Sequence, residues 1–227
     1  MSAEVLIETI EVSRIYNPGM PCEVKAVDRI SLKINRSDVV VIKGPSGSGK
    51  TTLLSLIGCM SRPTEGKVLI KEKDAVKLPE SFLTQIRRDT FGFIFQQLHL
   101  IEGITVEENV MLPMYPLGAR LDDIKDSAEK LLKKLDLLKK KSYKIKQLSG
   151  GEKQRTAIAR ALINNPEVIL ADEPTAHLDT ALSEEFMSIL YDLNQEGKTL
   201  IIATHDPLVY QEPYITRIIE MRDGAVL

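Results

Sequence analysis

The chain has 227 residues, 43% of them hydrophobic and 27% charged, enough to bury one substantial core with room for an attached lobe. Lys and Arg number 30 against 32 Asp and Glu, so the formal charge of −2 excludes a global pull toward nucleic acid or anionic lipid, and no nucleic-acid partner is expected. Two cysteines, Cys22 and Cys59, exclude a disulfide framework, and no stretch approaches the roughly 18 apolar residues of a membrane span.

Residues 1–4, Met-Ser-Ala-Glu, have neither a basic start nor a long apolar run, so no cleaved leader is expected. Alternation over 5–12 and strand character over 26–34 predict an opening antiparallel β segment. Residues 39–42, Val-Val-Val-Ile, read as a buried strand. That strand runs into Gly44, Pro45, Ser46, Gly47, Ser48, Gly49, Lys50 and Thr51, which fit the phosphate-binding pattern G-x-x-x-x-G-K-[ST]. The glycines let backbone N–H groups turn inward on a phosphate chain, and Lys50 adds a charge where β- and γ-phosphates sit. The helix over 50–57, which includes Thr52, points its positive N-terminus at the same anion. A Gly/Ser linker would not be framed by a strand and a helix.

A turn over 62–66 precedes a strand over 67–70, and another strand over 91–95 ends at Gln96. Helical periodicity then appears over 106–112 and 121–138, the second with Leu121, Ile124, Ala128, Leu131, Leu132 and Leu135 at three- and four-residue steps. Residues 148–152, Leu-Ser-Gly-Gly-Glu, open a further helix, so Ser149, Gly150 and Gly151 form a second helix N-terminus suited to an anion. The apolar strand over 168–171 closes on Asp172 and Glu173. A helix over 182–193 and strands over 199–203 and 217–221 follow; His205 lies just past the first of these strands, and Gly224 in a closing hairpin turn. In a parallel α/β sheet, ligands bind at the carboxyl ends of the strands. The P-loop, Gln96, Asp172, Glu173 and His205 all fall there.

The P-loop, the Leu-Ser-Gly-Gly-Glu signature and the strand ending in Asp-Glu, in that order, resemble the ABC-type ATPases over essentially the whole chain. The resemblance implies an α/β fold: a P-loop NTPase core of ABC ATPase type, about 1–96 and 167–227, with an N-terminal antiparallel β layer and a helical subdomain inserted over about 97–166. It implies ATP and Mg²⁺ as ligands, and hydrolysis of ATP to ADP and phosphate. Thr51 would give a hydroxyl and Gln96 a carbonyl oxygen to Mg²⁺, both hard oxygen donors. Asp172 would hold the metal's water shell, Glu173 activate the attacking water, and His205 donate to the γ-phosphate. Tyr16, placed after the first strand, would stack on adenine. Asp179 would contact a partner subunit, and His177 departs from the small residue or Asn more familiar at its position.

The same resemblance implies a two-fold, head-to-tail pair of this chain with itself, ATP held between one P-loop and the other chain's signature. It further implies an integral membrane permease seated near Gln96 and the apolar stretch 98–106, and a location on the cytoplasmic face of the inner (plasma) membrane. The motifs look most similar to the lipoprotein-release and macrolide-export type of ATPase subunit; a cell-division-type ATPase regulating a membrane complex is the alternative. The lysines at 139–141 read as a solvated helix end, a lipid-headgroup contact being the other reading.

Overall fold

The computed structural model describes residues 4–176 and 178–227, so residues 1–3 and the departure at His177 lie outside the described residues. The chain runs β1 (Val5–Tyr16), β2 (Val24–Asn35), β3 (Val39–Lys43), α1 (Lys50–Ile57), β4 (Glu65–Ile70), β5 (Lys73–Asp74), α2 (Glu80–Thr90) and β6 (Phe91–Ile94). It continues through α3 (Val106–Met111), α4 (Leu121–Lys134), α5 (Gly150–Leu162), β7 (Val168–Asp172), α6 (Thr180–Gln195), β8 (Thr199–Thr204), α7 (Pro207–Tyr210), β9 (Arg217–Arg222) and β10 (Ala225–Val226).

Two sheets result. The first is antiparallel, in the order β2-β1-β4-β5; the second is mixed, in the order β10-β9-β3-β8-β7-β6, parallel throughout except at its closing hairpin. The central strands are apolar on both faces because each face is covered. Val39 and Val41 of β3 pack with Ile169, Ile202 and Ile158 on the helical side, whereas Val40 and Ile42 pack with Leu6, Ile34 and Leu53 on the side of the first sheet. The period of two along one strand thus serves two cores. Among the described residues no helix is long and apolar enough to cross a membrane.

Several elements differ from the sequence reading, which has no counterpart of the short β5 and α7. β1 continues to Tyr16, so Tyr16 ends the strand rather than following it. Its ladder with β2 shifts register between Thr9 and Val12 and again before Arg14, and Glu11 and Arg29 take φ of 46°. Such bulges break the in–out alternation while pairing goes on, which is why alternation ends at Val12. α2 was not anticipated, because only Leu83 and Thr90 of its eleven residues are buried and the apolar period is faint. α4 stops at Lys134 although apolar spacing runs on: Asp136 turns left-handed (φ 52°), and Leu135 and Leu137 enter the same core from a turn.

Candidate functional site

The phosphate loop is wedged between the two sheets. A Cβ on Gly49 would stand 2.1 Å from the Ala26 carbonyl oxygen, and Gly49 has φ 99°; one on Gly44 would stand 2.2 Å from the Met221 carbonyl oxygen. Only glycine permits both approaches. The first helix-type bond of α1 runs from Leu53 N–H to the Gly49 carbonyl, leaving the N–H groups of Lys50, Thr51 and the half-buried Thr52 without helix partners. Lys50 folds back over the loop, donating to the Gly44 and Pro45 carbonyls at 2.8 and 3.2 Å. The Ser48 hydroxyl is buried with no hydrogen-bond partner among the described residues.

Strands β3, β7 and β8 are parallel and in register, with Lys43 opposite Thr204 and Asp172 opposite Ala203, so their carboxyl ends meet at this loop. Thr51 Oγ1 donates to Asp172 Oδ1 at 3.0 Å. Burial pushes the Asp172 carboxyl above its ordinary range; the Thr51 hydrogen bond opposes that shift and the Glu173 charge adds to it. The Glu173 side chain, 11% exposed, places one oxygen 3.2 Å from Lys50 Nζ and the other 2.9 Å from His205 Nδ1. Glu173 has φ 43°, unusual for a residue with a Cβ, and its N–H donates to the Ala203 carbonyl at 2.8 Å.

The structure therefore brings Gly44, Pro45, Lys50, Thr51, Asp172, Glu173 and His205 together, with Ser46, Gly47, Ser48 and Gly49 completing the loop. Other expected residues stand apart. Gln96 is exposed two positions beyond β6, and among the described residues no hydrogen bond joins it to Thr51 or Asp172. Tyr16 is exposed, with the Arg14 guanidinium 4.9 Å from its ring centre. Ser149 caps α5 in a reciprocal box with Glu152, and Gly150 and Gly151 form the first turn. Asp179 caps α6 by accepting from Leu182 N–H at 2.9 Å. No hydrogen bond among the described residues links Ser149, Gly150, Gly151 or Asp179 to the phosphate loop.

Sequence reasoning passed over Gln154, Thr175 and Asp206. Gln154 is buried and donates to the Pro174 carbonyl at 3.2 Å, and Thr175 Oγ1 donates to Asp206 Oδ2 at 2.7 Å. A polar residue three positions from Gly151 and four from Ile158, on the buried stripe of an otherwise sensible helix, was the available signal.

The donor set suits magnesium. A hydroxyl and a half-buried carboxylate with a raised pKa are hard oxygens suited to a cation, and a metal held partly by substrate phosphates needs few protein ligands.

A model of the ABC transporter family matches residues 27–176. The macrolide export ATP-binding/permease protein MacB of Hyphomonas neptunium is 44% identical over 98% of this chain, which spans 34% of that protein's length. The chain thus spans about a third of such relatives. The uncharacterized ABC transporter ATP-binding protein YvrO of Bacillus subtilis is 42% identical over 95% of this chain and 93% of its own. Among solved structures, a dimeric post-hydrolysis state of the ATP-binding cassette MJ0796 bound to ADP and phosphate has 42% identity and a TM-score of 0.87, covering 97% of this chain and 96% of that one.

Proposed function

The chain belongs to the ABC transporter family, and from its character as an ABC ATPase cassette we propose that it powers a separate membrane permease of the macrolide-export or lipoprotein-release kind. The observation that carries the reading is the Glu173 carboxylate, suspended between Lys50 and His205 at the shared end of β3, β7 and β8.

In this reading the loop 44–52 grips the β- and γ-phosphates with backbone N–H groups and the Lys50 ammonium. Thr51 and Asp172, with Gln96 joining them, would hold Mg²⁺, which would offset negative charge developing on the phosphate. Glu173 accepts the proton of the attacking water, being the carboxylate that faces Lys50 and is nearly enclosed. His205 orients the γ-phosphate by hydrogen bonding once its ring is released from Glu173. Tyr16 offers its free ring face to adenine. Ser149, Gly150, Gly151 and Asp179 lie away from this loop because they serve the site of a second copy, paired two-fold and head to tail. MJ0796 is a dimer, which supports that arrangement.

The permease would seat in a groove of about 480 Å³ between α2, β6 and α5, walled by Phe93, Phe95, Pro113 and Pro116 and rimmed by Arg87, Arg88 and Arg160. Phe93 and Phe95 stack at 5.8 Å, and Arg160 donates to the Leu98 and His99 carbonyls, fixing the segment just past Gln96. This chemistry fits a short helix with apolar side chains and a carboxylate. It would put the chain on the cytoplasmic face of the membrane.

Crosslinking the tagged chain in membranes of its own cell, followed by detergent solubilisation and mass spectrometry, tests the proposal. A multi-span membrane protein crosslinked through the groove is the expected result. A chain with Mg²⁺-dependent ATPase activity but no such partner, or one whose crosslinks survive Phe95→Glu unchanged, would refute the permease assignment.

A further inference from the structure

The helix that begins at the signature also reaches the site of its own chain. Gln154 is the fifth residue past Ser149, about 7.5 Å along a rigid helix, and is only 4% exposed. Its Nε2 donates to the Pro174 carbonyl, one residue beyond Glu173. That neighbourhood is under strain, since Glu173 sits at φ 43°, a conformation that persists only where surroundings over-determine it.

The restraints on it can be named. Glu173 N–H donates to Ala203, Ala176 N–H donates to the Glu173 carbonyl, and Thr175 is tied to Asp206, whose own N–H donates to Thr204 Oγ1. All of these bonds stay within the ends of β7 and β8 and the residues that follow them. The bond from Gln154 comes from elsewhere, from α5. A shift of α5 along its axis would therefore move the Pro174 carbonyl, and with it the backbone that aims the Glu173 carboxylate at Lys50 and His205.

We propose that Gln154 is a positioning residue that ties the signature helix to Glu173 of the same chain, so that the helix meeting one nucleotide sets the carboxylate facing the other. This rests on the reading that Glu173 activates water and that the signature serves a second copy. Gln154 touches no reacting atom in this scheme; it acts through Pro174.

The test uses the full chain with Gln154→Met, which keeps the length and loses the donor, and Gln154→Glu, which turns an acceptor toward the Pro174 carbonyl. Both should lower kcat at least ten-fold with KM for ATP within two-fold, and bring any sigmoidal dependence on ATP toward a Hill coefficient of 1. A side chain that merely packs would lower the unfolding midpoint and leave kcat alone. Parental kcat in both variants, or a raised KM at unchanged kcat, overturns the proposal; the polar Glu variant keeps the test open should the Met variant fold poorly. Glu173→Gln alone is run in parallel, since parental turnover there would sink the water-activation reading rather than the Gln154 link. Finally, differently tagged pairs separate own-site from partner-site action. Parental chain paired with Glu173→Gln should match parental chain paired with the Glu173→Gln, Gln154→Met double variant, because the glutamine then served a carboxylate already replaced. Lower activity in the second pair would show that Gln154 acts on the partner's site, and the proposal would fall.

Discussion

Lys50 and Glu173 form an ion pair of 3.2 Å between side chains only 5% and 11% exposed, with the same carboxylate also hydrogen-bonded to His205. One acidic group thereby occupies both of the side-chain donors that the proposed reading assigns to a γ-phosphate. A phosphate entering this site must share Lys50 with Glu173 or displace it. Removing the negative charge should therefore favour nucleotide and, at the same time, remove the proton acceptor. Glu173→Gln is expected to bind ATP at least as tightly as the parent while turnover falls by about 10²–10⁴-fold. ATP should then hold the variant as a dimer on size-exclusion chromatography with Mg²⁺. A monomeric elution, or hydrolysis at the parental rate, would exclude Glu173 as the base.

Lys50→Ala should abolish productive ATP binding, measured by titration. It also strands a nearly buried carboxylate, so folding stability should drop by about 1–3 kcal/mol. Adding Glu173→Gln removes the stranded charge and should recover most of that loss. Additive losses in the double variant would mean that the two side chains are not coupled in solution.

Asp172 behaves in the opposite sense. Its carboxyl titrates above the ordinary range, first because of burial, so the folded chain holds a proton there at a pH where the unfolded chain has lost it. The stability contribution is present at acid pH, below the ordinary carboxylate value of about 4, and is lost as pH rises through the elevated one. At neutral pH the ionised group is a net cost that a cation would offset. Asp172→Asn should raise the unfolding midpoint of the chain without nucleotide by about 2 °C or more, flatten its acid dependence, and lose the extra stabilisation that Mg²⁺ adds to ATP. An unchanged Mg²⁺ effect in thermal shift measurements would remove Asp172 from the metal site.

Shared sites predict complementation. Lys50→Ala lacks the phosphate lysine, and Ser149→Arg puts a bulky charge at the cap of α5, so each should be inactive alone. A mixed pair holds one doubly damaged site and one intact site, joining the P-loop of the Ser149→Arg chain to the signature of the Lys50→Ala chain. With random pairing and independent sites, activity should return to about a quarter of the parental value. ATP-driven pairing of labelled variants, measured alongside, guards against strict coupling between sites. Recovery of neither would mean that the signature does not act across chains.

The sequence by itself determined the family and which residues gather at the strand ends. Lys50 and Thr51 are fixed by the loop pattern, Asp172, Glu173 and His205 by their places at or just past the ends of apolar strands, and parallel pairing in register brings those strand ends together as the α/β rule requires. Such features are local: each depends on a few adjacent residues and a backbone period. What only the tertiary structure decided was how these groups satisfy one another. That Glu173 bridges Lys50 and His205, that its backbone turns left-handed, and that Gln154 braces the next residue from a helix 20 positions earlier are outcomes of close packing between segments far apart in the chain. The extension of β1 to Tyr16 was hidden for a related reason, since bulges set by the partner strand rephase the alternation. Local propensity reports which element a residue joins. Which buried polar atom finds which partner is settled only when every donor and acceptor in the core must be satisfied at once.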